Sequence, residues 1–154
     1  MYTLKGEVKI IAEKPKNTLD EPTPYSVPSD SIYKRMLEMS DNFLAEQVLL
    51  LAAGAISDTL KSDITIKEMK DKYLKDLPDE PKWIDGSGLS RYNLFTPRTM
   101  VKLLQKIKAE IPQKKLFSLM ATGGKSGTLE NSYKTEKPYI FAKSGTIKNN
   151  HSLS

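Results

Sequence analysis

From Phe43 to Ile56 the only polar side chains are Glu46 and Gln47. A run this apolar has to leave water, yet it falls short of the ~18 apolar residues that a bilayer span requires. It therefore predicts a buried helix, and no transmembrane segment is expected. The rest of the chain must supply its cover. With 154 residues, 38% of them hydrophobic and 28% charged, one core is within reach and a wholly disordered chain is excluded. Eight Gly and nine Pro are too few for a collagen-like or low-complexity class.

The remaining composition narrows the chemistry. Twenty-four Lys and Arg against nineteen Asp and Glu give +5, which suits an anionic partner such as nucleic acid, an anionic wall or a carboxylate ligand. There is no Cys, so no disulfide framework and no thiol nucleophile, and the single His, His151, cannot build a histidine cluster. No metal and no cofactor is expected, and His151 is given no role. The opening Met1-Tyr2-Thr3-Leu4 is not a charged stretch followed by an apolar one, so no signal peptide is expected in it.

Along the chain, residues 6–11 alternate as a strand and run into a connector with Pro15, Pro22, Pro24 and Pro28, where regular helix is impossible. Ile32, Met36 and Leu37 predict a short helix ending near Glu38, and Ser40-Asp41-Asn42 then precedes the apolar helix. Ile66, Met69, Tyr73, Leu74 and Leu77 recur at helical spacing, with Pro78 and Pro81 closing that helix. Thr96-Pro97 supplies a cap and a first helical residue for a helix carrying Met100, Val101, Leu103, Leu104 and Ile107, which Pro112 ends. Lys114 to Met120 adds a helical turn or two, and residues 139–142 form a strand that leads into Lys143-Ser144-Gly145-Thr146. Lys-Ser-Gly-Thr occurs at 125–128 as well as 143–146, a coincidence rather than a repeat.

Three strings can carry chemistry. Lys143-Ser144-Gly145 at a strand end offers an ammonium, a hydroxyl and an unobstructed backbone to a carboxylate, although a plain turn explains it as well. Ser40-Asp41-Asn42 is accounted for, taken alone, by helix capping. Asp85-Gly86-Ser87-Gly88-Leu89-Ser90-Arg91 packs two glycines and two hydroxyls between a carboxylate and a guanidinium, and reads as a loop clamped by Asp85 and Arg91. Gly123-Gly124-Lys125-Ser126 lacks the earlier glycine of a phosphate-binding loop, since position 119 is Leu.

Together the three strings resemble the serine-type D-alanyl-D-alanine carboxypeptidase/endopeptidase family, the class C low-molecular-mass penicillin-binding proteins. Ser40-Asp41-Asn42 resembles the family's Ser-x-Asn motif, residues 85–91 its Asp-Gly-Ser-Gly-Leu-Ser-Arg string, and Lys143-Ser144-Gly145 its Lys-Thr-Gly motif with Ser for Thr. The resemblance spans roughly Ser26 to the C-terminus and includes the Gly-rich turn Ser126-Gly127-Thr128-Leu129 as a surface loop near the sheet. The family's nucleophilic Ser-x-x-Lys, which lies far upstream of Ser-x-Asn, has no counterpart. The one Ser-x-x-Lys present, Ser31 to Lys34, would put Ser31 about 13 Å from Ser40 along a continuous helix, beyond the reach of a proton relay.

The resemblance implies an α/β chain, part of a penicillin-recognising serine transpeptidase-like fold with an antiparallel sheet flanked by helices. Residues 1–28 would be a strand and Pro-rich connector, and residues 29–154 a partial transpeptidase-like domain truncated at its C-terminal end. Residues 6–11 would pair with 139–147. It implies catalytic roles for Ser40, Asn42 and Lys143, substrate binding by Ser144, Gly145 and Thr146 with the Thr146 N–H as an oxyanion donor, and structural support from Asp85 and Arg91. The substrate would be a peptidoglycan peptide ending in D-Ala-D-Ala, and β-lactams would bind a longer parent. The site of action would be extracytoplasmic, in the periplasm or cell envelope, with the export signal encoded upstream. The chain alone would be inactive. Two other readings stay open: a basic nucleic-acid-binding module built on Lys102, Lys106, Lys108, Lys114 and Lys115, and a helical interaction module in which Ser40, Asn42 and Lys143 lie far apart.

Overall fold

Pro28 has no N–H to leave unpaired at a helix start, and Asp30 places a carboxylate in the first turn, so α1 (Ser29–Glu38) begins directly after it. A computed structural model describes residues 27–154, and the strand expected at 6–11, with most of the Pro-rich connector, lies outside them. α1 closes when the Asp41 N–H donates back to Met36 O at 3.1 Å, which throws Ser40 into the left-handed region at φ 56°. The same Asp41 then caps α2 (Asn42–Ile56), its carboxylate accepting from the Leu44 N–H at 3.1 Å.

α2 packs against α1 and against α3 (Ser62–Lys72), where the buried Thr65 hydroxyl donates to Leu49 O at 3.0 Å. Leu49 and Ala53 are its buried residues, while Phe43 is 70% and Leu51 67% exposed. The expected buried helix is therefore buried on one stripe only: a helix apolar all round presents to its neighbours only the side they meet. α3 also ends earlier than its apolar spacing predicts. Tyr73 caps it, and Leu74 is buried from beyond the helix end.

Thr96 caps α4 (Pro97–Glu110) by accepting from the Thr99 N–H, with Pro97 in the first turn. Thr99 is fully buried, and its hydroxyl donates to Asp79 O at 3.1 Å. α5 (Gln113–Leu119) buries Leu116 and Leu119, lies along α1, and stacks the Phe117 ring on Phe141 at 4.6 Å.

Two antiparallel ribbons follow. β1 (Ala121–Thr122) pairs with β2 (Phe141–Ala142), matching Ala121 with Ala142, and a buried cluster of these two alanines with Leu129 lies behind them. Lys143 links β2 to β3 (Ser144–Ile147), which turns through Lys148 and Asn149 into β4 (Asn150–Leu153). The strand expected over 139–142 begins only at Phe141, since its partner β1 ends at Thr122 where the chain turns, and β4 carries too little apolar character to be read from sequence. Among the described residues no helix is long and apolar enough to cross a membrane.

Candidate active site

The end of α1, the start of α2, the loop at residues 86–89 and strand β3 enclose a groove of about 310 Å³. Ser40, Asn42, Lys143, Ser144, Gly145 and Thr146 all line it. The arrangement in which these groups lie far apart, which a helical module without chemistry would show, is not the one found.

At its centre the Lys143 ammonium donates to Ser40 Oγ at 2.6 Å and to Ser144 O. An ammonium has three donors and no acceptor, so the contact leaves the Ser40 proton free to point elsewhere. Lys143 is half-buried, and that burial pushes its ammonium below the ordinary lysine range. Ser40 meets it from a left-handed backbone position that glycine occupies with least strain. A side chain kept there costs about 1–2 kcal/mol.

The edge of β3 faces the same groove. Lys143 and Ser154 exchange backbone bonds of 2.7 and 3.1 Å, so the alternation of an antiparallel ladder makes Gly145 and Ser152 the next bonded pair. The N–H and C=O of Ser144 and Thr146 then turn away from β4, and the Lys143 ammonium on Ser144 O agrees with this. A Cβ at Gly145 would sit 2.8 Å from Ser152 Oγ, so the Ser152 side chain would have to turn aside for any larger residue. The Ser144 hydroxyl bonds Thr128 Oγ1 at 2.6 Å, and Thr146 Oγ1 lies 2.8 Å from His151 Nδ1.

The loop opposite is built otherwise than its sequence predicts. Asp85 does not clamp Arg91. Its Oδ1 accepts from the Asn93 amide at 3.0 Å, the Ser87 hydroxyl at 3.0 Å and the Gly88 N–H at 3.1 Å. Burial would raise the Asp85 carboxyl, but these bonds outweigh it and hold the group below the usual range. Arg91 instead donates to Lys148 O at 3.3 Å, bracing the turn between β3 and β4, while Asn93, two residues further on, takes the place beside Asp85. Asp85 and Arg91 both stand outside the groove itself.

Glu46 ties this loop to α2, accepting from the N–H groups of Gly86 at 2.6 Å and Ser87 at 3.1 Å. Sequence reasoning missed Glu46, Asn93 and Thr128. For Glu46 a signal existed, a carboxylate inside the most apolar run of the chain. Thr128 belongs to the first Lys-Ser-Gly-Thr, and the two copies are no repeat: one forms a turn and the other a strand.

The decoys stay apart. Ser31 is exposed on α1 and does not line the groove. Gly123 to Ser126 form a tight turn closed by Lys125 and Ser126 N–H bonds to Thr122 O. Of the lysines that suggest a nucleic-acid surface, Lys106 pairs with Asp76 and Lys115 with Asp30. Among the described residues no cluster of three acidic or histidine side chains could hold a metal ion.

Comparison with known proteins agrees with this architecture. The chain is 26% identical over 137 residues to the D-alanyl-D-alanine carboxypeptidase DacB of Haemophilus influenzae, covering 84% of this chain and 28% of that protein. The crystal structure of penicillin binding protein 4 (dacB) from Haemophilus influenzae superposes with a TM-score of 0.69 at 25% identity, over 80% of this chain and 29% of that one. Its complex with a novel β-lactam gives a TM-score of 0.70 at 24% identity, over 80% and 30%. The chain thus spans less than a third of the length of these relatives. Residues 2–154 match the D-Ala-D-Ala carboxypeptidase 3 (S13) family, and with this match across nearly the whole sequence the chain belongs to that family.

Proposed function

We propose that this chain forms one side of the cleft of a serine-type D-Ala-D-Ala carboxypeptidase/endopeptidase acting on peptidoglycan peptides outside the cytoplasm. The observation that carries the reading is the bond from the Lys143 ammonium to the Ser40 hydroxyl across the groove. Residues 29–154 act as part of a transpeptidase-like domain.

Acyl transfer at such a terminus needs an activated hydroxyl, an oxyanion hole, a proton carrier to the leaving amine and a cation for the terminal carboxylate. Lys143 supplies positive potential and, by donating to Ser40 Oγ, directs the Ser40 proton toward the departing D-Ala nitrogen. Asn42 holds the substrate backbone through its amide. The Ser144 hydroxyl binds the terminal carboxylate, Gly145 lets the peptide approach the strand, and the Thr146 N–H is one oxyanion donor.

None of the described residues that line this groove belongs to a Ser-x-x-Lys. The one Ser-x-x-Lys of the sequence begins at the exposed Ser31, which does not line the groove, and in this reading the acylating serine is not among the groove's described residues. The chain by itself binds without acylating. Losing one oxyanion donor costs about 10²–10³ in kcat, and losing the nucleophile removes the covalent route itself.

The test is a titration of the ¹⁵N-labelled chain with N-acetyl-D-Ala-D-Ala, set beside the same compound ending in an amide. The expected result is that the amide signals of Ser40, Asn42, Gly145 and Thr146 move with the dipeptide, and that the carboxyl-blocked compound binds more weakly. A fluorescent penicillin leaves the chain unlabelled. Shifts confined to other surfaces, or stable penicillin labelling at Ser31, would overturn the reading.

A further inference from the structure

We infer that Thr128 is a positioning residue for the carboxylate-binding hydroxyl of Ser144, and that its turn holds the two walls of the groove in register. The inference rests on the reading of the groove given above.

The bond between Ser144 Oγ and Thr128 Oγ1 is 2.6 Å, well within hydroxyl hydrogen-bond range. Each hydroxyl carries one proton and two lone pairs, and both protons rotate freely. When the groove holds no anion, Ser144 can donate to Thr128. When a carboxylate arrives, rotating both O–H bonds lets Thr128 donate to Ser144 Oγ, and the Ser144 proton turns to the anion. No heavy atom moves, and the Thr128–Ser144–carboxylate chain is polarised in one direction along its length. Ser144 bonded to water alone would have to be oriented anew for each ligand.

Thr128 keeps this place because its neighbours are fixed on both sides. Gly127, at φ 60°, lies so close to the end of α1 that a Cβ there would be 2.2 Å from Glu38 O. Glu38 stands two residues before Ser40. Leu129 is buried with Ala121 and Ala142, and its carbonyl accepts from the Gly124 N–H at 3.0 Å. One three-residue turn therefore touches the wall that carries Ser40, is anchored in the core behind β2, and bonds Ser144, the first residue of β3 and the neighbour of Lys143.

The experiment uses the full chain and its Thr128→Val and Thr128→Ser variants, the first removing the hydroxyl at nearly constant shape and the second restoring it. In the ligand-free chain, Hα–Hβ couplings report the Ser144 rotamer. Titration with N-acetyl-D-Ala-D-Ala and with N-acetyl-D-Ala-D-alaninamide reports affinity. The expected results are one Ser144 rotamer in the wild type and in Thr128→Ser, but averaging in Thr128→Val. Dipeptide binding should weaken about tenfold in Thr128→Val and return to within about twofold in Thr128→Ser, with the amide compound unaffected. Equal dipeptide binding by wild type and Thr128→Val, equal weakening by both variants, or a single Ser144 rotamer in Thr128→Val would overturn the inference. If the wild type takes up neither compound, the reading of the groove fails, and the Ser144 rotamer alone then upholds or overturns the positioning role.

Discussion

Lys143 and Ser40 are 103 positions apart in sequence, and their side chains meet at 2.6 Å. The ammonium reaches that contact half-buried, and the loss of water pushes it below the ordinary lysine value of 10.5. Between its folded value and 10.5 the unfolded chain holds the proton more firmly than the folded chain. Stability therefore rises with pH across that window and is lost as pH falls through the folded value. Denaturant midpoints of the wild type and Lys143→Met, measured from pH 7 to 11, should diverge in this direction, the wild type gaining on the variant as pH rises. A difference that stays flat, or that shrinks with rising pH, contradicts a desolvated Lys143.

Ser40 bears a side chain where the backbone favours none. Ser40→Ala and Ser40→Gly both remove the hydroxyl and its bond to Lys143, but only alanine keeps a Cβ in the left-handed region. Allowing for the greater freedom of glycine in the unfolded chain, Ser40→Gly should be more stable than Ser40→Ala by about 1 kcal/mol. Thermal or urea unfolding of the two variants checks this. The reverse order would mean that Ser40 is not held in the left-handed conformation.

Glu46 connects α2 to the wall of the groove opposite β3. Its Oε2 accepts two backbone N–H bonds, and hydrogen bonds to a charged group are worth roughly 1.5–3 kcal/mol. In Glu46→Ala the loop should detach locally, with hydrogen exchange at the Gly86 and Ser87 amides accelerating by about 10- to 100-fold. Glu46→Gln keeps one acceptor oxygen and should fall between the two. Unchanged protection at those amides in the alanine variant would show that the loop is held by Asp85 and Asn93 alone.

The same residues show which parts of the molecule can be read from its sequence. Thr96-Pro97 and Asp41 announce helix starts because a cap acts within four residues of itself, and the structure places both as caps. Ser40, Asn42 and Lys143 were singled out by the resemblance of their strings to a family's motifs, since each triplet alone reads as a cap or a turn, and the structure brings the three to one groove. What joins them was not legible in the sequence. Glu46 reaches a loop 40 positions away and Thr128 a strand 16 positions away, and no local pattern encodes either distance. The pairing of Asp85 with Asn93 in place of Arg91 depends on how the loop folds back, with the Asn93 side chain also accepting from the Ile84 N–H at 2.8 Å, and residue types alone do not encode that path. The exposure of Phe43 and Leu51 could not be read from α2 itself, because an apolar run specifies that burial is favourable and says nothing of which neighbours are present.

Gly127 and Gly88 separate conformation from space. Both have positive φ, 60° and 74°, so alanine is strained at either position by about 1–2 kcal/mol. At Gly88 an added Cβ meets nothing within 4 Å, and Gly88→Ala should cost only that strain. At Gly127 the added Cβ would lie 2.2 Å from Glu38 O, a backbone atom that cannot swing aside, so the turn has to lift off the end of α1. Overpacking of this kind adds a further ~1–3 kcal/mol, and Gly127→Ala should destabilise the chain by about 3 kcal/mol in total. Because Thr128 moves with the turn, its bond to Ser144 should open and the amide signals of Ser40 and Ser144 should shift together, which a Gly88→Ala chain will not show. Chemical denaturation and amide spectra of the two variants make the comparison. Equal destabilisation by both would remove the contact with Glu38 as a cause and leave φ alone.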